Sequence, residues 1–120
     1  MLPLVMRLEE KDDYVIIYLM GSSNAVSKQS EEVENIRNTF KDMTKKGINK
    51  VIIDLKGVEY LSSNIIGSFL SGNAIMKKND GKVVLCSPSD YIMGIFNIVK
   101  LEKVFPILPT LEEAIEEIKK

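Results

Sequence analysis

Along the chain, segments with the apolar pattern of β-strands are followed by segments with the apolar spacing of amphipathic helices. Runs of apolar, β-branched residues predict strands at 4–10, 14–20, 51–55, 82–86 and 104–108. Apolar positions three or four apart predict helices at about 27–45, from the serines at 62 and 63 to about 78, from 87 to about 99, and from 110 onward. The predicted order of elements is therefore β-β-α-β-α-β-α-β-α.

This order predicts the fold class. Strands that alternate with helices after an opening hairpin are typical of an α/β sandwich, with a mostly parallel sheet of four to five strands and about four helices. The run 51–55 is apolar around Asp54, as expected of a central strand that is covered on both faces. Pro106 favours an edge position for the last strand. The length of 120 residues predicts a single domain, 1–120.

The helix patterns also predict caps and buried faces. In the first helix, Val33, Ile36, Phe40 and Met43 share one face, and its charged residues are expected to be solvated. The next helix carries a stripe of small residues, for which close helix packing and a docking groove are equal alternatives: Gly67, Ser68, Ser71 and Gly72.

The last two helices have recognisable start signals. For the third, Ser87 is the predicted N-cap and Pro88 the first helical residue. Its predicted buried face consists of Tyr91, Ile92, Ile95, Phe96 and Val99. The last helix begins with a capping box, Thr110 followed by Glu113.

Charge and composition exclude several classes of function. The net charge is −1 and the chain has no basic stripe, so neither nucleic acid nor an anionic membrane is a predicted partner. No apolar run approaches the roughly 18 to 20 residues that span a bilayer, and the N-terminus has no signal-peptide pattern. The single cysteine, Cys86, lies in an apolar run and is expected to be a buried hydrophobe. These features predict a soluble, cytoplasmic protein.

The chain contains no histidine. A Ser-His-Asp or Cys-His nucleophile and an imidazole metal site are therefore excluded. The commonest general base near neutral pH is also missing. We expect a protein that is not an enzyme, with no metal site and no cofactor.

The turn Ser62-Ser63-Asn64 is the main candidate site, because it lies between the central strand and the next helix. Its residues are favoured N-caps, so capping alone is one explanation. A helix N-terminus also presents free N–H groups and a positive dipole end, which suit a phosphate. A phosphoserine in this first turn would add nearly two negative charges at a place that tolerates them.

The order of elements and the run VIIDLKGVEYLSSNIIGSFL resemble the STAS domain, and in particular the anti-sigma factor antagonists of bacteria. That family has the pattern hydrophobic-DL-x-x-V-x-x-hydrophobic-D-S-[ST]-G-hydrophobic-G between the central strand and the next helix. The matching positions are Asp54, Leu55, Val58, Leu61, Ser63, Ile66 and Gly67. Further matches are Gly21, the strand 81–85, and the ending at 101–105 and 110–114.

The resemblance implies a binding switch. In its unphosphorylated form such a protein binds an anti-sigma factor that is also a serine kinase, and a sigma factor is released. The kinase uses ATP and magnesium to phosphorylate the family serine, which corresponds to Ser63, with Ser62 as the competing acceptor; a phosphatase resets the switch. The partner surface is then expected around this turn, at Ser22, Ser23, Asn24, Ser62, Asn64 and Gly67.

The chain departs from the family pattern at this site. Ser62 replaces the family aspartate, Ile65 replaces a glycine, and Asn24 stands where an acidic residue is usual. Fewer carboxylates could weaken kinase docking, or they could ease acceptance of a phosphate because like-charge repulsion is reduced. The alternative function is a STAS module that binds its partner without phosphoryl control.

Two other classes fit the sequence poorly. A response-regulator receiver needs an acidic pair after the first strand, and the run 20–23 has none. A serine hydrolase would have to use a Ser-Lys pair, for which there is no distinctive signature, and Ser63 is not in a G-x-S-x-G turn.

Overall fold

The computed structural model of the chain describes residues 2–23 and 26–120, apart from the side chains of 26–28. The strands are β1 Val5–Glu10, β2 Val15–Ser22, β3 Lys50–Tyr60, β4 Lys82–Cys86 and β5 Ile107–Leu108. The helices are α1 Val26–Lys45, α2 Ser63–Lys78, α3 Asp90–Ile98 and α4 Leu111–Ile118, with a short 3-10 helix, Leu101–Lys103, before β5. The strands form one sheet in the order β1-β2-β3-β4-β5, in which β1 is antiparallel to β2 and the other neighbouring pairs are parallel. The predicted fold class and order of elements are confirmed.

Helices cover the sheet on both faces, but unequally. The larger core lies between the sheet and α1, α2 and α3, where strand residues such as Val51 and Ile53 are fully buried. On the opposite face, α4 packs Ala114 and Ile118 against strand residues that include Ile52. Because side chains alternate along a strand, one apolar run such as 51–55 can serve both cores.

The central strand β3 is longer than the sequence predicted. The sequence predicted a strand over 51–55, but the strand continues to Tyr60, with a register shift against β2 between Tyr18 and Met20. Gly57 permits this, because a Cβ at that position would lie 2.8 Å from Met20 Cγ. The extension places the end of β3 beside the end of β2, so α2 begins next to the loop that leaves β2.

The start of α3 differs from the prediction. Ser87 is not the N-cap: its φ is +59°, and its N–H donates to the Leu108 carbonyl at 3.0 Å. That bond commits Ser87 to the sheet, so the helix starts two residues later. Ser89 is the N-cap, and its Oγ accepts the Ile92 N–H at 3.1 Å.

The predicted buried face of α3 is wrong at both ends. Ile92 and Phe96 are fully buried, whereas Tyr91 and Val99 are 61% and 52% exposed. Nearly every residue of this helix is apolar, so the spacing of apolar positions does not select one face. The predicted cap of α4 is confirmed, since Thr110 Oγ1 accepts the Glu113 N–H at 3.2 Å.

The small residues of α2 serve helix packing along part of the stripe. A Cβ on Gly72 would lie 2.3 Å from the ring of Phe40 on α1. Ser68 is fully buried and donates to the Ile65 carbonyl at 2.6 Å. Gly67 is different, because an added Cβ would meet nothing within 4 Å. The stripe therefore divides into a packed half and an open half.

Candidate functional site

The turn before α2 separates its two serines. Ser62 is the N-cap, and its Oγ accepts the Ile65 N–H at 3.3 Å. Its carbonyl accepts the Ile66 N–H at 3.2 Å, and the residue is only 6% exposed. Ser63 is the first residue of α2 and is exposed. The Ser62 hydroxyl thus caps the N-terminus of α2, whereas Ser63 is exposed to solvent.

Among the described residues, the side chains that flank Ser63 in α2 are neutral. Asn64 is exposed, and its Nδ2 donates to Gln29 Oε1 on α1 at 2.9 Å. One turn further on, Gly67 is half-buried, and a Cβ added to it would meet no atom within 4 Å. In the first turn of a helix the leading N–H groups have no intrahelical acceptor. Within the described part of the chain, the N–H groups of Ser63 and Asn64 have no acceptor, so they can bind an anionic group.

The loop after β2 lies directly beneath this turn. The Ser23 N–H donates to the Tyr60 carbonyl at 2.9 Å, and the Ser22 N–H donates to the Leu2 carbonyl at 3.0 Å. Both serine side chains are buried, and Ser22 Oγ has no hydrogen-bond partner among the residues that the structure describes. Asn24, also predicted for the partner surface, lies outside the described residues.

A buried chain of hydrogen bonds joins this loop to the cap of α2. Ser23 Oγ donates to Glu32 Oε1 at 3.0 Å and lies 3.2 Å from Ser62 Oγ. Because a hydroxyl has one proton and that of Ser23 goes to Glu32, the Ser62 hydroxyl must donate to Ser23. Glu32 Oε2 in turn accepts the Leu4 N–H at 3.0 Å. A carboxylate therefore anchors both the N-terminal segment and the loop beneath Ser63.

The role of Glu32 was missed from the sequence, where the charged residues of α1 were expected to be solvated. The side chain is only 7% exposed. The signal was its spacing: Glu32 lies four residues before Ile36 and eight before Phe40, on the buried face of the helix.

The outer surface of α2 and α3 is unusually poor in charge. The sequence has no charged residue from Ser63 to Met76 or from Tyr91 to Val99. Several large apolar side chains are nevertheless exposed there: Leu70, Tyr91, Ile98 and Val99. Ile98 is 82% exposed. Exposed apolar residues in charge-poor segments are typical of interaction surfaces.

Other chemistry is sparse in the described part of the chain. Burial, and then the Asp54 carboxylate, raise the pKa of the Cys86 thiol to about 12, so Cys86 is not an activated nucleophile. Within residues 2–23 and 26–120 no three metal-ligating side chains come together. None of the described helices combines the length and apolar character that crossing a bilayer requires.

The fold and this turn define a small α/β protein whose candidate site is a helix N-terminus. Residues 6–114 match the STAS domain, and the chain belongs to that family. It is 26% identical over 81 residues to a candidate anti-sigma factor antagonist of Thermotoga maritima, a match that covers 68% of this chain and 72% of that protein. The resemblance noted from the sequence is confirmed.

Solved structures show the same fold. An anti-sigma factor antagonist from Mycobacterium paratuberculosis superposes with a TM-score of 0.81 at 19% identity, covering 98% of this chain and 96% of that one. The unphosphorylated form of the anti-sigma factor antagonist SpoIIAA gives 0.72 at 22% identity, covering 96% and 98%. SpoIIAA from Bacillus in its phosphorylated form also gives 0.72 at 22% identity, covering 95% and 99%.

Proposed function

We propose that this protein is an anti-sigma factor antagonist, a non-catalytic binding switch that phosphorylation of Ser63 turns off. The observation that carries the proposal is the contrast between two adjacent serines. Ser63 is exposed in the first turn of α2, whereas Ser62 is buried and already bonded as the cap. A kinase can reach the Ser63 hydroxyl without unfolding the turn. The phosphorylated form of SpoIIAA is consistent with such chemistry in a protein of this fold.

The uncharged surface of α2 explains how the unphosphorylated form would bind. Covering exposed apolar groups such as Leu70 is favourable, and without charged side chains there is little desolvation to offset it. A phosphate on Ser63 would bring nearly two negative charges to the rim of this surface. A partner would then have to desolvate the phosphate or leave the surface, so binding is lost.

The partner we propose is an anti-sigma factor that is also a serine kinase and uses ATP and magnesium, with a phosphatase that restores the hydroxyl. Exposed Asn64 and half-buried Gly67 would contact it beside Ser63. Three other groups would shape the surface: Ser22 at the end of β2, Ser23 and Asn24 after it, and the cap Ser62. The switch would work in the cytoplasm, where its sigma factor acts.

A second function remains in view because the neutral residues Ser62 and Asn24 stand where the family carries acidic ones. If the kinase needs those carboxylates, the protein would bind its partner through the same surface without phosphoryl control. It would then be a constitutive antagonist or a subunit of a larger signalling assembly.

The test is to capture the partner and to locate the phosphate. The purified protein serves as bait in an extract of its own cells, and the captured kinase is then supplied with ATP and magnesium. We expect one phosphate per chain by intact mass, on Ser63 by peptide mapping, and release of the partner. Ser63→Ala should bind and take up no phosphate. Phosphate on Ser62 would overturn the assignment of Ser63, and binding without phosphate on either serine would select the constitutive function.

A further inference from the structure

A single carboxylate ties together three separate parts of the chain beside Ser63. We propose that Glu32 is the positioning residue of the partner surface: it couples the N-terminal segment, residues 2–4, and the Ser23 loop to the cap of α2. This inference rests on the proposed function for its biological meaning. The coupling itself is a property of the free protein.

The hydrogen bonds form an unbroken path. The Leu4 N–H donates to one oxygen of Glu32 and the Ser23 hydroxyl donates to the other, both at 3.0 Å. The path continues from Ser23 to the Ser62 hydroxyl at 3.2 Å and ends at the Ile65 N–H. The donor and acceptor directions are fixed along the whole path, because the carboxylate only accepts. We therefore expect a change at one end to alter the bonds in between.

The N-terminal segment also contacts the end of β2. Leu2 accepts the Ser22 N–H, and Pro3 forms a bridge with Ser22. Gly21, at φ +99°, lets the Pro3 carbonyl approach so closely that a Cβ there would clash. A groove of about 380 Å³ lies between this segment and α1, and Leu4 and Glu32 both line it. Leu4 belongs to the same buried cluster as Ile36 of α1, and the bond to Glu32 adds a polar link across the groove.

The chemistry of the site explains why this carboxylate matters. Ser22, Ser23, Ser62, Ser63 and Asn64 are all neutral. Of these, Ser23 donates to Glu32 directly and Ser62 reaches it through Ser23, so Glu32 is the charged acceptor of this path. Hydrogen bonds to a charged group are about twice as strong as neutral ones. Glu32 lies on α1, a long helix that is packed on α2 through Phe40 and Gly72. The loop beside Ser63 is therefore held to a rigid element.

The first test uses the free protein and amide hydrogen exchange by NMR. Glu32→Gln keeps the shape of the side chain but leaves one acceptor oxygen for two donors. We expect the Leu4 N–H to exchange at least about tenfold faster. The matched control is Glu31→Gln, the exposed neighbour on the same helix, which should leave that rate unchanged. If Glu32→Gln does not fold, Ser23→Ala breaks the same path one bond further along.

The second test measures whether a change at Ser62 affects the Leu4 N–H at the other end of the path. A purely local structural role of Glu32 would not produce such an effect. Ser62→Ala should change the exchange of the Leu4 N–H at least about twofold in the natural background and not in the Glu32→Gln or Ser23→Ala background. Equal effects in all backgrounds would overturn the proposal. With the captured partner, Glu32→Gln should raise the Kd at least about fivefold relative to Glu31→Gln. Equal Kd values would overturn the positioning role, whereas failure of Ser63 to accept phosphate would bear only on the proposed function.

Discussion

Ser62 and Ser63 are neighbours in the chain, but their hydroxyls have opposite environments. The Ser62 hydroxyl is buried between Ser23 Oγ and the Ile65 N–H, and that of Ser63 is exposed. We therefore expect Ser62→Ala to lower the free energy of unfolding by about 1 to 2 kcal/mol, through the loss of a helix cap. Ser63→Ala should change it by less than about 0.5 kcal/mol.

Urea denaturation of the two variants measures this difference directly, since equal slopes allow the midpoints to be compared. Ser63→Ala is the control for removing a hydroxyl from the same turn. If Ser63→Ala were the more damaging change, the arrangement of the two serines described here would be wrong.

Gly67 and Gly72 are both inside α2, but the space beside their Cα atoms differs. Gly72→Ala places a Cβ against the Phe40 ring, so we expect a loss of about 1 to 3 kcal/mol from overpacking. The Cβ that Gly67→Ala adds would have no atom within 4 Å. This change should stabilise the protein by about 0.5 to 1 kcal/mol, because alanine is the better helix former. In thermal unfolding, the Tm should fall for Gly72→Ala and rise for Gly67→Ala.

The Gly72 result can be traced to one contact. Phe40→Leu alone leaves a cavity, but in the Gly72→Ala background it makes room for the new methyl group. We expect the two changes together to cost less than the sum of the two alone. Strict additivity would mean that Gly72 is needed for another reason.

Ser22, the last residue of β2, and Ser23, which follows it, offer a second matched pair. Ser22 Oγ is buried and has no partner among the described residues, so Ser22→Ala should be neutral or slightly stabilising. Ser23→Ala removes the donor to Glu32 Oε1 and leaves a buried carboxylate oxygen unpaired, at an expected cost of about 1 to 3 kcal/mol. Equilibrium unfolding in urea distinguishes them, and equal costs would contradict the hydrogen-bond path through Ser23.

The parts of the fold that were predictable depend on local signals. The strand 82–86 lies in an apolar run that a turn precedes, and Thr110 with Glu113 forms a local cap; both were found from the sequence. The start of α3 was misplaced because Ser87 bonds to Leu108, which is 21 positions away. A non-local bond there outweighs a local preference for Ser87 and Pro88 at a helix start.

The candidate site shows the same division. The spacing of residues around Ser63 identified the turn and the family, since both depend on sequence order. The path from Leu4 through Glu32 and Ser23 to Ser62 was not predictable, because it joins residues 28, 9 and 39 positions apart. Only the spacing of Glu32 before Ile36 indicated that a charged side chain would be buried.

Cys86 provides a prediction about pH. It is fully buried on β4, and burial raises the pKa of its thiol from 9.0 to about 12. Between these values the unfolded chain releases a proton that the folded chain keeps, so stability falls as the pH rises above 9 and is unaffected below it. At pH 10 the loss that is due to this thiol should be about 1.4 kcal/mol.

Other groups also titrate in this pH range, so the contribution of the thiol to stability is measured by comparison with Cys86→Ala. The free energies of unfolding of the natural protein and the variant should differ by a constant amount from pH 7 to 8.5. The difference should then shrink by about 1.4 kcal/mol by pH 10, because only the natural protein loses the thiol contribution. A difference that stays constant up to pH 10 would mean that the folded protein ionises Cys86 as easily as the unfolded chain. The thiol would then be accessible to solvent, and the core beneath α4 would be less closed than its packing indicates.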